Sequence, residues 1–224
     1  MKKYLAIFLS SILAGFCIVI GVTAFLTLRK SNFIAGTLIF GLGLFSIMHC
    51  KLYLYTGKVG ATLNNKPKYI LDLLVCITGN FIGVIFLSSV MKLTRISPML
   101  QTEALELVTA KQNDSWYSIF ILAIMCGIMI YIAVIGHERS QYTLGKALFC
   151  FLAVSAFIIS GHEHCIANAA YYTLAGVFNA KALGYFLLMI LGNAIGSIGI
   201  DGLLKIVNWL NKQAQEEAQK QIQE

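Results

Sequence analysis

Charge is scarce in this chain: Asp, Glu, Lys and Arg make up 12% of its 224 residues, against 58% hydrophobic. Proline is scarcer still, with Pro67 and Pro98 the only two. Soluble domains carry about a quarter charged residues, and one core of this size could not hide so much apolar surface, so a water-soluble enzyme is excluded. The apolar excess equally excludes a disordered chain. No Cys-x-x-Cys occurs among Cys17, Cys50, Cys76, Cys126, Cys150 and Cys165. These thiols therefore read as apolar filler between helices, with no metal site or cofactor expected. No basic cluster lies on a soluble segment, so nucleic acid is not an expected partner. What remains, with a mean hydropathy of +0.77, is a chain for the lipid bilayer.

A bilayer core takes roughly 20 apolar residues per helix, which leaves room for six spans and no sizeable soluble domain. Helix 1 is predicted over Tyr4–Leu28, too long an apolar run for a signal peptide and so read as an uncleaved span. A second stretch runs from Phe33 to Ile47, meets His49-Cys50-Lys51, and resumes over Leu54–Leu63. Helix 3 covers Tyr69–Met91, a polar loop follows over Lys92–Asp114, and helix 4 covers Trp116–Gly136. The fifth stretch starts near Ala147, is interrupted at Ser160-Gly161-His162-Glu163-His164, and resumes to Ala175. Helix 6 covers Ala182–Val207. The expected layout is one membrane domain over residues 1–210, with half-repeats near 4–91 and 116–209, and a polar cytoplasmic tail over 211–224.

Six spans place both termini on one side. That side carries ten Lys and Arg (Lys2, Lys3, Lys58, Lys66, Lys68, Arg139, Lys146, Lys205, Lys212, Lys220) against six on the other (Arg29, Lys30, Lys92, Arg95, Lys111, Lys181). The excess predicts cytoplasmic termini in a multi-pass inner or plasma membrane protein. Polar residues midway along spans two and five are the informative feature, because a charge at the midplane costs at least about 2.5–3.5 kcal/mol. Irregular backbone at that depth is tolerated only where protein buries it or it lines a wet cavity. Both breaks fall at corresponding places in the halves, and helices 3 and 6 share a pentapeptide shape, Gly79-Asn80-Phe81-Ile82-Gly83 and Gly192-Asn193-Ala194-Ile195-Gly196. Three spans per half is odd, so the halves must point in opposite directions. The expected fold is an all-α, 3+3 inverted repeat with two broken helices and a permeation site at the midplane. Gly-x-x-x-Gly spacing lets helices 3 and 6 approach neighbours closely. Glu163 is expected to support the break by accepting free backbone N–H groups, and Lys51 to pair with it across the pseudo-twofold.

These residues resemble the formate/nitrite transporter family. Ser160-Gly161-His162-Glu163-His164-Cys165-Ile166-Ala167-Asn168 is similar to the family's fifth-helix motif Ser-Gly-Phe-Glu-His-Ser-Ile-Ala-Asn. Phe40-Gly-Leu-Gly-Leu44 with Leu54-Tyr55-Thr56-Gly57 resembles its second helix and break loop, and Gly79-Asn80 and Gly192-Asn193 resemble its third and sixth helices. The matches keep order and spacing over nearly the whole chain. The resemblance implies an aquaporin-like protomer in a homopentamer, not an enzyme, with one pore per protomer for small monovalent anions such as formate, nitrite or hydrosulfide. It implies a central site at His164, Thr56 and Asn193, an apolar constriction at Phe40, Leu44, Leu54, Ile130 and Phe157, and a vestibule lysine at Lys111. A neutral imidazole at that point can hold an anion through its N–H and relay a proton.

The chain departs from the family pattern at Gly127 for a common asparagine, His162 for phenylalanine and Lys51 for a small residue. Gly127 removes an expected polar pore contact. Two competing functions follow from the residues: a channel for neutral solutes, which lacks paired Asn-Pro-Ala motifs, and a haem protein using two of His49, His137, His162 and His164.

Overall fold

Lipid offers the backbone no hydrogen-bond partner, so apolar runs of bilayer length close their own bonds as helices. The computed structural model describes residues 1–223. Its elements are α1 (Lys2–Leu28), α2 (Phe33–His49), α3 (Tyr55–Lys58) continued by a 3-10 turn over Val59–Asn64, α4 (Tyr69–Met91), α5 (Ser97–Asn113), α6 (Trp116–Arg139), α7 (Thr143–Ile159), α8 (Cys165–Ala175) and α9 (Ala180–Gln223). Among the described residues α1, α4, α6 and α9 are long and apolar enough to cross a membrane. At 17 residues each, α2 and α7 are about 25 Å long, short of a hydrocarbon core of about 30 Å. Each stops midway, and α3 and α8 continue its path after an irregular turn. The segment read as a separate tail continues α9 without interruption to Gln223; position 224 lies outside the described residues.

The two halves repeat one packing scheme, and glycine sets it. A Cβ on Gly15 of α1 would stand 2.7 Å from the Asn80 carbonyl oxygen of α4, and one on Gly79 would stand 2.8 Å from Phe8 O. In the second half, a Cβ on Gly127 of α6 would fall on Asn193 O of α9, and one on Gly192 would stand 2.9 Å from Phe120 O. Gly127 is thus the counterpart of Gly15. It faces the α9 backbone rather than a lumen, which corrects the expectation of a missing pore contact. Gly83 and Gly196 abut the carbonyls of Ile12 and Ile124 in the same way. Adding a methyl at Gly196 forces α6 and α9 apart, an overpacking cost of about 1–3 kcal/mol. Gly196→Ala is expected to lower the melting midpoint of detergent-solubilised protein. Gly199→Ala, where a Cβ meets nothing within 4 Å, is expected to leave it in place.

The connection Lys92–Asp114, read as a loop, is largely the helix α5. Its Leu100, Ala104, Leu107 and Val108 fall on one face at helical spacing, and all but Leu107 are fully buried. A reading tuned to uninterrupted membrane spans passes over such a stripe. Arg29, just beyond α1, donates to Glu103 at 2.7 Å and Glu106 at 2.9 Å, and Lys30 donates to Glu106 at 2.6 Å. Hydrogen bonds from Lys30 and then Arg29 hold the Glu106 carboxyl below its ordinary value. This contribution to α5 docking is therefore present above the usual carboxylate range and is lost as pH falls through the lowered value.

Candidate permeation site

Both broken helices end in the same motif. The N–H groups of Cys50, Lys51 and Leu52 donate to Ser46, Met48 and Ile47, while those of Ser160, Gly161 and His162 donate to Ala156, Ile158 and Phe157. Such a cap needs a left-handed residue, and Lys51 (φ 54°) and Gly161 (φ 67°) supply it. Lys51 is therefore the pseudo-symmetry mate of Gly161, and Tyr53 that of Glu163.

An asparagine ties off each break. Asn80 Oδ1 accepts Tyr55 N–H at 2.8 Å, and its Nδ2 donates to Ser11 O and Tyr53 O, each at 2.8 Å. Asn193 Oδ1 accepts Cys165 N–H at 3.0 Å, and its Nδ2 donates to Ala123 O and Glu163 O, each at 2.8 Å. With both amide hydrogens engaged by backbone and no exposed surface, Asn193 is a clamp. This corrects its placement as a hydrogen-bond donor to an anion. Asn80 was not among the expected site residues, although its shared pentapeptide with Asn193 was the available signal.

His164 caps α8. Its Nδ1 accepts the Ala167 N–H at 3.0 Å and its Nε2 lies 2.8 Å from Thr56 Oγ1. Because Nδ1 already accepts, the proton of the neutral ring belongs on Nε2, which then donates to Thr56. The Thr56 hydroxyl hydrogen stays free to donate elsewhere. Leu54 occupies the matching cap position before α3, with no side-chain bond to offer. The Phe157 ring stacks on His164 at 5.9 Å between centroids, and Phe40 meets Phe157 edge-on at 6.0 Å.

Cavities open on opposite sides of this centre. One of about 320 Å³ is lined by Leu44, Leu54, Lys51, Lys58, Lys146, His137 and Glu138. It lies toward the termini: the Tyr69 hydroxyl at the start of α4 donates to Lys58 O at 3.0 Å, and Asp72 one turn later pairs with Lys3. The other, about 190 Å³, is lined by Phe157, His164, His162, Arg29 and Lys111. Leu44 and Leu54 thus border one cavity and Phe157 the other, while Phe40 and Ile130 are buried residues outside both linings. His162 leaves its buried Nδ1 without a partner. His49 stacks on Phe45, and His137 borders the cavity opposite His162 and His164. Among the described residues no cluster of His, Cys, Asp or Glu could hold a metal ion.

The expected Lys51–Glu163 pair is not formed. Lys111 Nζ reaches both Glu163 carboxylate oxygens at 2.7 Å, and Asn168 Nδ2 donates to Oε2 at 2.6 Å. Pseudo-symmetry explains the difference, since it relates Lys51 to Gly161 and turns their loops toward opposite cavities. Side chains, not stray backbone N–H groups, occupy the Glu163 carboxylate. Lys111 lines the smaller cavity, with its charge paired to Glu163.

A family model described as "Formate/nitrite transporter" matches residues 1–207. The chain is 27% identical to "Formate channel FocA" of Haemophilus influenzae, over 75% of this chain and 65% of that protein. It is 24% identical to "Formate channel FocB" of Escherichia coli over the same shares, 75% and 65%. It thus spans 65% of the length of these two curated relatives. Among solved structures it is similar to one titled "Pentameric formate channel with formate bound", with a TM-score of 0.81 at 21% identity over 93% of this chain and 98% of that one. A second, "FNT family ion channel", gives a TM-score of 0.74 at 21% identity over 92% and 89%.

Proposed function

The chain belongs to the formate/nitrite transporter family, and from that membership we propose that it conducts small monovalent anions of weak acids, formate or nitrite before hydrosulfide, with no chemical conversion. It works as a homopentamer with one pore per protomer, in the cell membrane, with both termini in the cytoplasm. The fold shared with a pentameric channel and the lysine-rich side of the termini support this reading.

One observation carries it: a neutral imidazole with a threonine hydroxyl lies between two cavities and beside apolar side chains. A bare anion meets a steep cost at Phe40, Leu44, Leu54, Ile130 and Phe157. At His164 it exchanges water for hydrogen bonds from the Thr56 hydroxyl and from Nε2–H, which leaves Thr56 Oγ1 for the anion. Charging the ring requires Nδ1–H, which must displace the Ala167 N–H. The ring therefore stays neutral at rest, and an adjacent anion is what stabilises its cation. The ring takes a proton from water on the entry side and passes it to the anion, returning to its neutral form, and the neutral weak acid crosses the remaining apolar layer. Flux should rise as pH falls on the side of entry, because that side supplies the proton the ring passes on.

Proteoliposomes with the purified protein are expected to take up formate and nitrite severalfold faster than protein-free vesicles, faster at pH 5.5 than at pH 7.5, and to exclude glycerol. Glycerol entry without formate entry would sink the anion reading in favour of a neutral-solute channel.

A further inference from the structure

The two cavities differ in how their cations are matched. On the Lys111 side every lining Lys or Arg has a carboxylate: Lys111 holds Glu163, and Arg29 holds Glu103 and Glu106. On the other side Lys51, Lys58 and Lys146 line the cavity with Glu138 as its single lining carboxylate. Among the described residues none of those three lysines makes an ion pair. Lys58 instead lies over the Tyr53 ring, 5.3 Å from its centroid. Bare like charges around a concave, low-dielectric surface repel one another and attract anions.

The backbone sharpens the point. Among the described residues Lys51 is the one non-glycine residue with positive φ, at a cap where its mate is Gly161. A Cβ disfavours that conformation, and glycine would occupy it without strain. Strain and uncompensated charge therefore coincide on one residue at a cavity wall, where neither helps the fold. Local strain of this kind is retained when the surroundings hold it for a purpose.

We propose that the cavity on the side of the termini is an anion-collecting site centred on Lys51, with Lys58 and Lys146 beside it, so that the pore loads small carboxylates and oxyanions at lower concentration from that face than from the other. The two mouths share one architecture but not one electrostatic strength.

The inference rests on the channel reading, and the experiment separates the two. Labelled-formate influx into proteoliposomes of uniformly oriented full-length protein, and efflux from them, give the half-saturating formate concentration for each face. Lys51→Gly is expected to raise it on the termini face by roughly tenfold at low salt, within the range of electrostatic steering, and by less at high salt. The opposite face should shift far less, and Lys51→Arg should retain the wild-type value. The melting midpoint of Lys51→Gly should equal or exceed that of wild type, because glycine suits the left-handed cap. An unchanged half-saturation on the termini face, an equal shift on both faces, or a lowered melting midpoint would each overturn the inference. Wild-type protein that carries no formate from either face defeats the channel reading instead.

Discussion

His164→Asn gives a folded protein whose formate flux is roughly ten- to a hundredfold below wild type and no longer climbs with acidity. Folding survives because asparagine is a good N-cap and its Oδ1 can take the Ala167 N–H that Nδ1 now accepts. Flux falls because the Nε2–H beside Thr56 is gone. A hydrogen bond to an ion is worth about 1.5–3 kcal/mol, and each 1.4 kcal/mol is about tenfold in an equilibrium constant. The pH dependence goes with the titratable ring, because the proton that the anion receives passes through it. Stopped-flow uptake at two pH values, alongside a melting curve, reads both halves. Wild-type pH dependence in the variant would show that the imidazole takes no part in proton transfer.

The second large effect is on stability. Lys111→Met leaves Glu163, whose side chain is 3% exposed, without its cation. Removing one member of a buried pair costs about 3–5 kcal/mol. For a chain of this size, at about 2–4 °C per kcal/mol, the melting midpoint should fall by roughly 10 °C. The double variant Lys111→Met with Glu163→Gln is expected to recover most of the loss, since the orphaned charge is then absent and Asn168 keeps an acceptor. Near-additive single effects would mean that the pair is not coupled.

Much of the architecture was legible in the residues because lipid imposes so narrow a choice. Tyr69–Met91 has the predicted bounds, and the interruptions fall where polar residues break otherwise apolar runs. Hydropathy could not show α5, whose apolar stripe is narrow and whose remaining face is charged. Its docking to Arg29 and Lys30 depends on tertiary contact between distant segments. The Lys51–Glu163 pairing fails for a related reason: spacing places the two at similar depth in their breaks, but only the folded loops show that Lys51 lines one cavity while Glu163 holds the Lys111 that borders the other. Asn193 enters the central site through the family resemblance, which matches positions and not partners. Its coordination of two carbonyls and one N–H appears only when the break and α6 are brought together.

Asn80 and Asn193 bear further on how such proteins diversify. Since these amides hold the interrupted ends from behind, neighbouring positions such as Leu54, Thr56 and Phe157 are relieved of that duty. Substitutions there can retune what passes while the scaffold stands, so new transport preferences are reachable in single steps without first rebuilding the walls.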